Sequence, residues 1–244
     1  MVNDNKKVGI AVLLLLSGLA IAGAFSILFA ELADEVMSQE FGLFDNFIIR
    51  LVMVNQSETM DVIMFLITET GSVWFLASMT VIGVAWLWFK SKDRWSALFF
   101  AITVAGGGLL NSALKNLYGR ERPSINEAID ATGYSFPSGH SMGAITLYGF
   151  LIFLVIRGHQ KEWVKWTISI SLAVLVLLIG GSRVYLGAHY PSDVVAGFIG
   201  GLVWLLLCII ALEWINWQTG NGIKPVKGIR NLLRSGLRLT RKSA

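Results

Sequence analysis

The chain has 244 residues, of which 55% are apolar and only 15% are charged, and its formal net charge is +4. Soluble globular domains carry about 25% charged residues. The composition therefore excludes an ordinary soluble protein and indicates a chain that crosses a membrane several times.

Six apolar runs are long enough to cross a bilayer as helices, because about 20 helical residues span a hydrocarbon core about 30 Å thick. We therefore predict an all-α polytopic membrane protein with six transmembrane helices and both termini in the cytoplasm. In chain order, the runs are Val8 to Ala30, Gly71 to Phe89, Trp95 to about Lys115, Ser138 to Ile156, Trp166 to about Arg183, and Ser192 to about Trp214.

Two further segments complete the predicted organisation. Residues 31–70 contain only short apolar stretches, so we expect an outer segment that is helical and lies at the membrane surface. Residues 1–216 then form one six-helix transmembrane domain that includes this segment. Residues 217–244 form a basic cytoplasmic tail without an acidic residue, which we expect to be solvated or to rest on anionic lipid.

The Lys and Arg residues set the predicted orientation. With both termini inside, fifteen of the twenty flank the spans on the cytoplasmic side, as the positive-inside rule requires. For the outer Arg120 two interpretations stay open, contact with a substrate or charge balance with Glu121, Glu127 or Asp130, and we favour the second. The outer basic residues are Arg50, Lys115, Arg120, Arg122 and Arg183.

The polar residues of the spans converge at one depth. The third span ends at Lys115 and the fifth near Arg183, whereas the fourth begins just after Pro137 and the sixth just after His189. Because successive spans run in opposite directions, all of these positions lie near the outer interface. The sequence therefore predicts one polar site there.

This composition of side chains favours a phosphate site. Lys115, Arg122 and Arg183 supply positive charge, and a helix start attracts anions through its free N–H groups and its dipole. Gly139 would let the backbone approach the oxygens closely, and Ser138 could donate its hydroxyl. An arginine can also bind two oxygens at once with its forked donors.

Two histidines flank the predicted phosphate site. His189 precedes Asp193 by four residues, so the carboxylate could hold the ring Nδ1–H and leave Nε2 as an oriented nucleophile or base. Pro191 intervenes, and the pairing therefore depends on the turn. The other histidine, His140, begins the fourth span.

The motifs resemble the three-part signature of the type 2 phosphatidic acid phosphatase superfamily. The resemblance extends from about Gly71 to Trp214 and rests on Lys115, six residues, Arg122-Pro123; Pro137-Ser138-Gly139-His140; and Ser182-Arg183, five residues, His189, three residues, Asp193. It implies that His189 attacks phosphorus, that Asp193 orients it, and that His140 protonates the leaving oxygen and then activates water. It also implies that Lys115, Arg122, Ser138, Gly139 and Arg183 hold the phosphoryl oxygens, with no metal or other cofactor.

We thus expect a lipid phosphatase of the plasma membrane whose active site faces the extracytoplasmic side. Its expected partners are a lipid phosphate substrate and membrane lipids, with no nucleic acid and no evident obligatory protein partner. Phosphatidylglycerophosphate, undecaprenyl pyrophosphate and phosphatidic acid stay open as substrates. Two alternatives also stay open: a lipid phosphotransferase with the same residues, and an anion transporter, for which broken helices and a midplane site are expected.

Two other features lie outside the three motifs. Glu69, at the outer mouth of the second span, stays open between a functional and a structural role. The glycine clusters 106–108, 180–181 and 197–201 indicate close helix contacts, which we expect to lie away from the site.

Overall fold

The computed structural model describes residues 4–54, 56–123 and 133–219, with side chains from residue 12 onward. Every regular element in these ranges is helical. In chain order, the helices are α1 (Asp4–Met37), α2 (Gly42–Met53), α3 (Glu58–Glu69), α4 (Val73–Ala85), which continues as a π-helical stretch (Trp86–Lys90), α5 (Arg94–Tyr118), α6 (Gly139–Arg157), α7 (Glu162–Tyr185) and α8 (Pro191–Gln218).

The six predicted spans are confirmed as helices that are long and apolar enough to cross a membrane, and they correspond to α1, α4 with its π-helical end, and α5 to α8. Several run past the predicted limits. The first continues to Met37, and the fifth begins at Glu162. Backbone hydrogen bonding continues into the interface after the apolar run has ended, so hydropathy underestimates helix length. Most of the predicted tail lies outside the described residues.

The segment of residues 31–70 is helical, as predicted, but it does not lie only at the surface of the helical bundle. Its helix α2 packs against α7 and α8, and α3 packs against α7. The face of α2 that carries Asp45 and Ile49 is buried, whereas Leu43 and Phe47 are exposed on the same helix. One face of this segment is therefore part of the protein interior.

The core lies between the last four long helices, with α8 in contact with α1, α5, α6 and α7. Phe100 of α5 stacks on Phe150 of α6 with ring centroids 5.2 Å apart. Leu147, Ile179 and Leu212 are completely buried beside them. This packing fixes the ends of the four helices relative to one another.

Glycines allow these helices to approach closely. A Cβ at Gly106 would lie 2.5 Å from the Trp204 ring, and one at Gly180 would lie 2.3 Å from the Phe198 ring. The expectation that such contacts lie away from the site was wrong for Gly197. A Cβ there would lie 2.6 Å from the carbonyl oxygen of Ser138. The absence of a side chain at Gly197 therefore lets α8 pack directly against the first residues of α6.

Candidate active site

The site lies at the end of the helical bundle where α5 and α7 end and where α6 and α8 begin. Their opposite directions bring four helix ends together, as the sequence predicted. The charged groups there act on one another: Lys115 is coupled electrostatically to Arg122, Arg183 and Asp193. His140 interacts electrostatically with Lys115, Arg122 and Arg183 and also with His189. The structure therefore brings the predicted charged and histidine residues together. We call Lys115, Arg122, Arg183 and His140 the basic cluster.

Backbone carbonyls anchor two of its cations. Gly119 ends α5 in a left-handed conformation with φ 63°, and its N–H donates to the carbonyl of Lys115. The Lys115 ammonium donates to the Tyr134 carbonyl at 2.6 Å. Arg122 donates from Nε to the Gly133 carbonyl at 2.9 Å and from Nη1 to the Ala188 carbonyl at 2.7 Å. Both side chains are thus held by the segments that precede α6 and α8.

The third cation, Arg183, is at the end of α7 and only 6% exposed. Its Nη1 donates to the Thr68 hydroxyl of α3 at 2.9 Å. Its buried Nε has no hydrogen-bond partner among the described residues. The Arg183 carbonyl accepts the N–H groups of Ala188 and His189 at 3.0 and 3.2 Å, which closes the turn between α7 and α8.

The start of α6 provides the predicted helix N-terminus. Ser138 caps the helix by accepting from the Ser141 N–H at 3.5 Å and from the Ser141 hydroxyl at 3.0 Å. A Cβ at Gly139 would lie 3.0 Å from Oδ1 of Asn111, whose Nδ2 donates to the Pro137 carbonyl at 3.2 Å. A side chain at Gly139 would therefore displace Asn111 and disturb the entry to the helix.

The tautomer of His189 follows from its neighbours. Nη1 of Arg122 lies 3.3 Å from Nε2 of His189. A guanidinium has donors only, so Nε2 is the acceptor and Nδ1 carries the proton. The unshared electron pair of His189 is therefore directed toward the basic cluster, as a nucleophile requires.

Asp193 faces the other ring nitrogen, as predicted, but the contact is long and Ser135 lies beside it. Nδ1 of His189 lies 3.5 Å from Oδ2 of Asp193 and 3.3 Å from the Ser135 hydroxyl. Ser135 donates to the same Oδ2 in a short hydrogen bond, and the Tyr190 N–H donates to it at 2.9 Å. Pro191 begins α8, so His189 lies before the helix and its carboxylate partner also caps that helix.

Burial controls the charge of His189. The His189 side chain is 2% exposed, and burial lowers its pKa to about 4, although the hydrogen bond and negative charge of Asp193 act in the opposite direction. Burial also lowers the pKa of Arg122, again opposed by Asp193. The imidazole is therefore neutral at neutral pH beside cations that attract an anion.

Arg120 pairs with two acids that the sequence analysis did not name as its partners. Its Nη1 lies 2.6 Å from Oδ1 of Asp193, and its Nη2 lies 2.9 Å from Oδ2 of Asp45. Glu127 and Asp130 lie outside the described residues. The contact with Asp45 was not predictable from the sequence, because Asp45 reaches Arg120 only through the packing of α2.

Sequence reasoning missed Ser135, Asn111 and Asp45. Ser135 stands two residues before Pro137 in a polar approach to α6, which was a usable signal. Asn111 is a polar residue inside an apolar span, and such residues often face the protein interior. Asp45 was one of several acids in the outer segment, and nothing in the sequence distinguished it.

The assembled residues are suited to phosphoryl transfer. A cluster of fixed cations and a helix N-terminus can hold a phosphoryl group and stabilise the charge that develops on it. A neutral nucleophilic nitrogen faces this cluster, and a second histidine, His140, lies within it. Within the described ranges, no three His, Cys, Asp or Glu side chains lie close enough together to hold a metal ion.

Comparisons with known proteins agree with this geometry. The PAP2 superfamily matches residues 95–217, which is half of the chain. Phosphatidylglycerophosphatase B of Bacillus subtilis is 34% identical over 147 residues, which cover 58% of this chain and 70% of that protein. Undecaprenyl-diphosphatase BcrC of Bacillus subtilis is 27% identical over 154 residues, which cover 61% of this chain and 73% of that protein.

A solved structure extends the likeness to the fold. The crystal structure of the first transmembrane PAP2 type phosphatidylglycerolphosphate phosphatase from Bacillus subtilis superposes with a TM-score of 0.74 at 29% identity, over 80% of this chain and 96% of that chain. The resemblance inferred from the three motifs is thereby confirmed. The chain is a multi-pass membrane protein and belongs to the PAP2 superfamily.

Proposed function

We propose that this protein is an integral-membrane lipid phosphatase that removes the terminal phosphate of a lipid phosphate or pyrophosphate through a phosphohistidine. The observation that carries the proposal is the neutral Nε2 of His189 facing Arg122 in the basic cluster, 3.3 Å from its Nη1. The names of the relatives support the same class, since one is a phosphatidylglycerophosphatase and another an undecaprenyl-diphosphatase.

In the first step, Nε2 of His189 attacks phosphorus while the bond to the lipid oxygen breaks. His140 gives its proton to the leaving oxygen, so the lipid departs as a neutral alcohol or as a lipid phosphate. Lys115, Arg122 and Arg183 hold the phosphoryl oxygens together with the Ser138 hydroxyl and the N–H group of Gly139. Asp193, with Ser135, keeps the Nδ1–H in place and stabilises the ring as it becomes positive.

In the second step, water attacks the phosphorus of the phosphohistidine. His140, now neutral, takes a proton from this water, and the P–N bond breaks with its electron pair returning to Nε2 of His189. Inorganic phosphate leaves and both histidines regain their starting protonation states. The fixed cations neutralise the developing charge, so the proposed reaction needs no metal ion.

The proposed site faces the extracytoplasmic side of the plasma membrane, with both termini in the cytoplasm. The unequal division of Lys and Arg supports this orientation, because the site lies at the helix ends opposite the basic connection between α6 and α7. The lipid is then presented from the outer leaflet. Residues 217–244 form the proposed cytoplasmic tail.

Phosphatidylglycerophosphate is the first substrate to test, because the relative that is 34% identical bears that name. Undecaprenyl pyrophosphate and phosphatidic acid follow, since each offers the same terminal phosphoryl group. An anion transporter is less well supported. Helices α5 to α8 each run unbroken from end to end, whereas transporters place their sites at helix breaks near the midplane.

The experiment is phosphate release by the purified protein in detergent, with these three lipids, in the presence of EDTA. We expect metal-independent release from at least one of them and none from the His189→Gln variant. The matched control is His159→Gln, which changes an exposed histidine in the connection between α6 and α7 and should retain activity. No release from any lipid phosphate would contradict the proposal, and loss of release with EDTA would contradict its metal independence.

A further inference from the structure

A buried carboxylate links the outer segment to the candidate active site. Asp45 lies on α2, outside the residues that match the family, and is 2% exposed. Its Oδ1 accepts the Ser192 N–H at 2.8 Å. Its Oδ2 accepts the Ser192 hydroxyl at 2.7 Å and Nη2 of Arg120 at 2.9 Å. Both oxygens are thus engaged, which a buried charge requires.

Arg120 connects this carboxylate to Asp193. Its Nη1 donates to Oδ1 of Asp193 at 2.6 Å and to the Ser192 hydroxyl at 2.9 Å. Its guanidinium also lies over the ring of Tyr190, 4.1 Å from the centroid. Because a guanidinium is planar and its donors are fixed, these contacts on two sides and one face determine its orientation.

We propose that Arg120 and Asp45 are positioning residues that orient the nucleophile of the proposed reaction through Asp193. Arg120 occupies Oδ1 of Asp193, so Oδ2 is the oxygen that faces Ser135 and Nδ1 of His189. Without Arg120 the carboxylate can rotate and exchange its two oxygens. Asp45 acts one step further away by fixing the plane of Arg120.

The arrangement gives α2 a role beyond the surface position that the sequence predicted for it. The same helix that exposes Leu43 and Phe47 holds the buried end of the chain of contacts Asp45, Arg120, Asp193. A shift of α2 would therefore be transmitted to the carboxylate that orients His189. The proposal rests on the proposed phosphatase activity for its kinetic consequences but not for its structural ones.

A purely structural role has to be separated from positioning, because Asp45 also caps the first turn of α8 through Ser192. The control is the ion pair between Arg157 and Glu213, which joins α6 to α8 at the opposite end of the bundle. Loss of a structural contact lowers the melting temperature without a specific effect on one chemical step. Loss of a positioning contact slows the step in which Nε2 attacks.

The kinetic experiment measures His189 phosphorylation in single turnovers in detergent micelles. The radiolabelled substrate is whichever of phosphatidylglycerophosphate, undecaprenyl pyrophosphate and phosphatidic acid the wild type hydrolyses. We expect Asp45→Asn and Arg120→Gln to slow this step by about 10- to 100-fold, the range found when a contact that orients a metal-binding histidine is removed. KM should change less than about two-fold, because the phosphoryl-binding residues are untouched. Glu213→Gln should keep the wild-type rate. Wild-type phosphorylation rates in folded Asp45→Asn protein would overturn the proposal.

The double variants decide whether the effect passes through Asp193. In an Asp193→Asn background, Asp45→Asn and Arg120→Gln should slow phosphorylation by less than a further two-fold or so, since residues that act as one unit are not additive. Full additivity would overturn the proposal. Asp45→Asn preserves the shape of the side chain, so it remains testable if Arg120→Gln fails to fold.

A second readout does not depend on activity. Ring ¹⁵N chemical shifts of His189, assigned with His140→Gln and His159→Gln, report its tautomer directly. We expect the Nδ1–H tautomer in the wild type and a mixture in Asp45→Asn and Arg120→Gln. If the wild type released no phosphate from any lipid, the proposed function would fail. The comparison of the His189 tautomer between the wild type and the two variants would then decide the positioning roles by itself. An unchanged tautomer in both variants would overturn them.

Discussion

The guanidinium of Arg122 and the imidazole of His189 meet at Nε2, with 3.3 Å between the two nitrogens. The cation therefore faces the electron pair of the ring rather than a ring proton. In the proposed reaction the same cation holds a phosphoryl oxygen, so the nucleophile already points at the place where phosphorus is bound. Such preorganisation reduces the rearrangement that is needed during reaction.

The two histidines should have separable roles. We expect His189→Ala to abolish phosphoryl transfer because the nucleophile is lost. His140→Ala should lower the rate with a lipid phosphate by about 10²- to 10⁴-fold, the usual contribution of a general acid or base. With p-nitrophenyl phosphate, whose leaving group needs no proton, the first step of the His140 variant should recover. Equal losses in both variants with both substrates would contradict the assignment.

The acidity of His189 gives a second prediction. Its pKa is lowered to about 4 by burial, whereas histidine in a short peptide titrates near about 6.5. The neutral form attacks, so lowering the pH from 7 to 5 should leave nearly all of His189 neutral and reactive. Protonation should begin only as the pH approaches about 4.

Ring ¹⁵N shifts measured against pH test this prediction in a His140→Gln, His159→Gln background, where His189 is the remaining histidine. The same protein unfolded in denaturant supplies the reference titration. A midpoint near that reference in the folded protein would show that burial does not keep the ring neutral.

The sequence was sufficient to predict the helix ends that form the site. Lys115, His140, Arg183 and Asp193 each lie within a turn of the end of an apolar run, and antiparallel spans bring alternate ends to one side. A phosphate site was therefore predictable from the order of the spans along the chain and the polar residues at their ends. Exact helix limits were less predictable, since hydropathy changes before the helix ends.

The supporting contacts were not predictable because they depend on packing between distant segments. Asp45 bonds to Ser192 across 147 positions and to Arg120 across 75. Asp45, rather than another acid of residues 31–70, makes these contacts because it lies on the face of α2 that packs against α8. The contacts of Ser135 with both His189 and Asp193 were not predictable either, because the three residues meet only through the turn before Pro191.

Gly197 should be intolerant of a methyl group. Its Cβ would lie 2.6 Å from the Ser138 carbonyl oxygen and 2.9 Å from Cβ of Ser141, so the start of α6 has to move. We expect Gly197→Ala to destabilise the protein by about 1 to 3 kcal/mol, as overpacking does, and to raise KM because Ser138 and Gly139 are displaced. Thermal unfolding and steady-state kinetics measure the two effects.

Gly108→Ala is the matched control for that variant, because a Cβ at Gly108 meets no atom within 4 Å. It should retain activity and be slightly more stable, since alanine favours helix by about 1 kcal/mol over glycine. Wild-type KM and stability in Gly197→Ala would show that α6 and α8 tolerate a wider separation at the site.

The orientation of the protein can be tested with two single cysteines in a Cys208→Ala background. Glu127→Cys, in the connection between α5 and α6, should react with a membrane-impermeant thiol reagent in intact cells. Gln160→Cys, in the exposed connection between α6 and α7, should react only after lysis. The distribution of Lys and Arg is the reason for this expectation, and the reverse labelling pattern would place the site on the cytoplasmic side.

The covalent intermediate separates the proposed phosphatase from direct hydrolysis. If His189 attacks phosphorus, the protein should become labelled when it is mixed with radiolabelled p-nitrophenyl phosphate and quenched rapidly in base. The label should be acid-labile and base-stable, as a phosphohistidine is, and it should accumulate most in His140→Ala, where water activation is impaired but this leaving group still departs. Asp193→Asn should bind substrate and form the intermediate slowly, because the tautomer of the His189 ring is no longer fixed.

Vanadate, which can adopt the five-coordinate geometry of the transition state, should prevent labelling. His189→Gln is the negative control. Continued phosphate release with no label on His189 in any variant would exclude the covalent route and leave His189 as a general base that activates water.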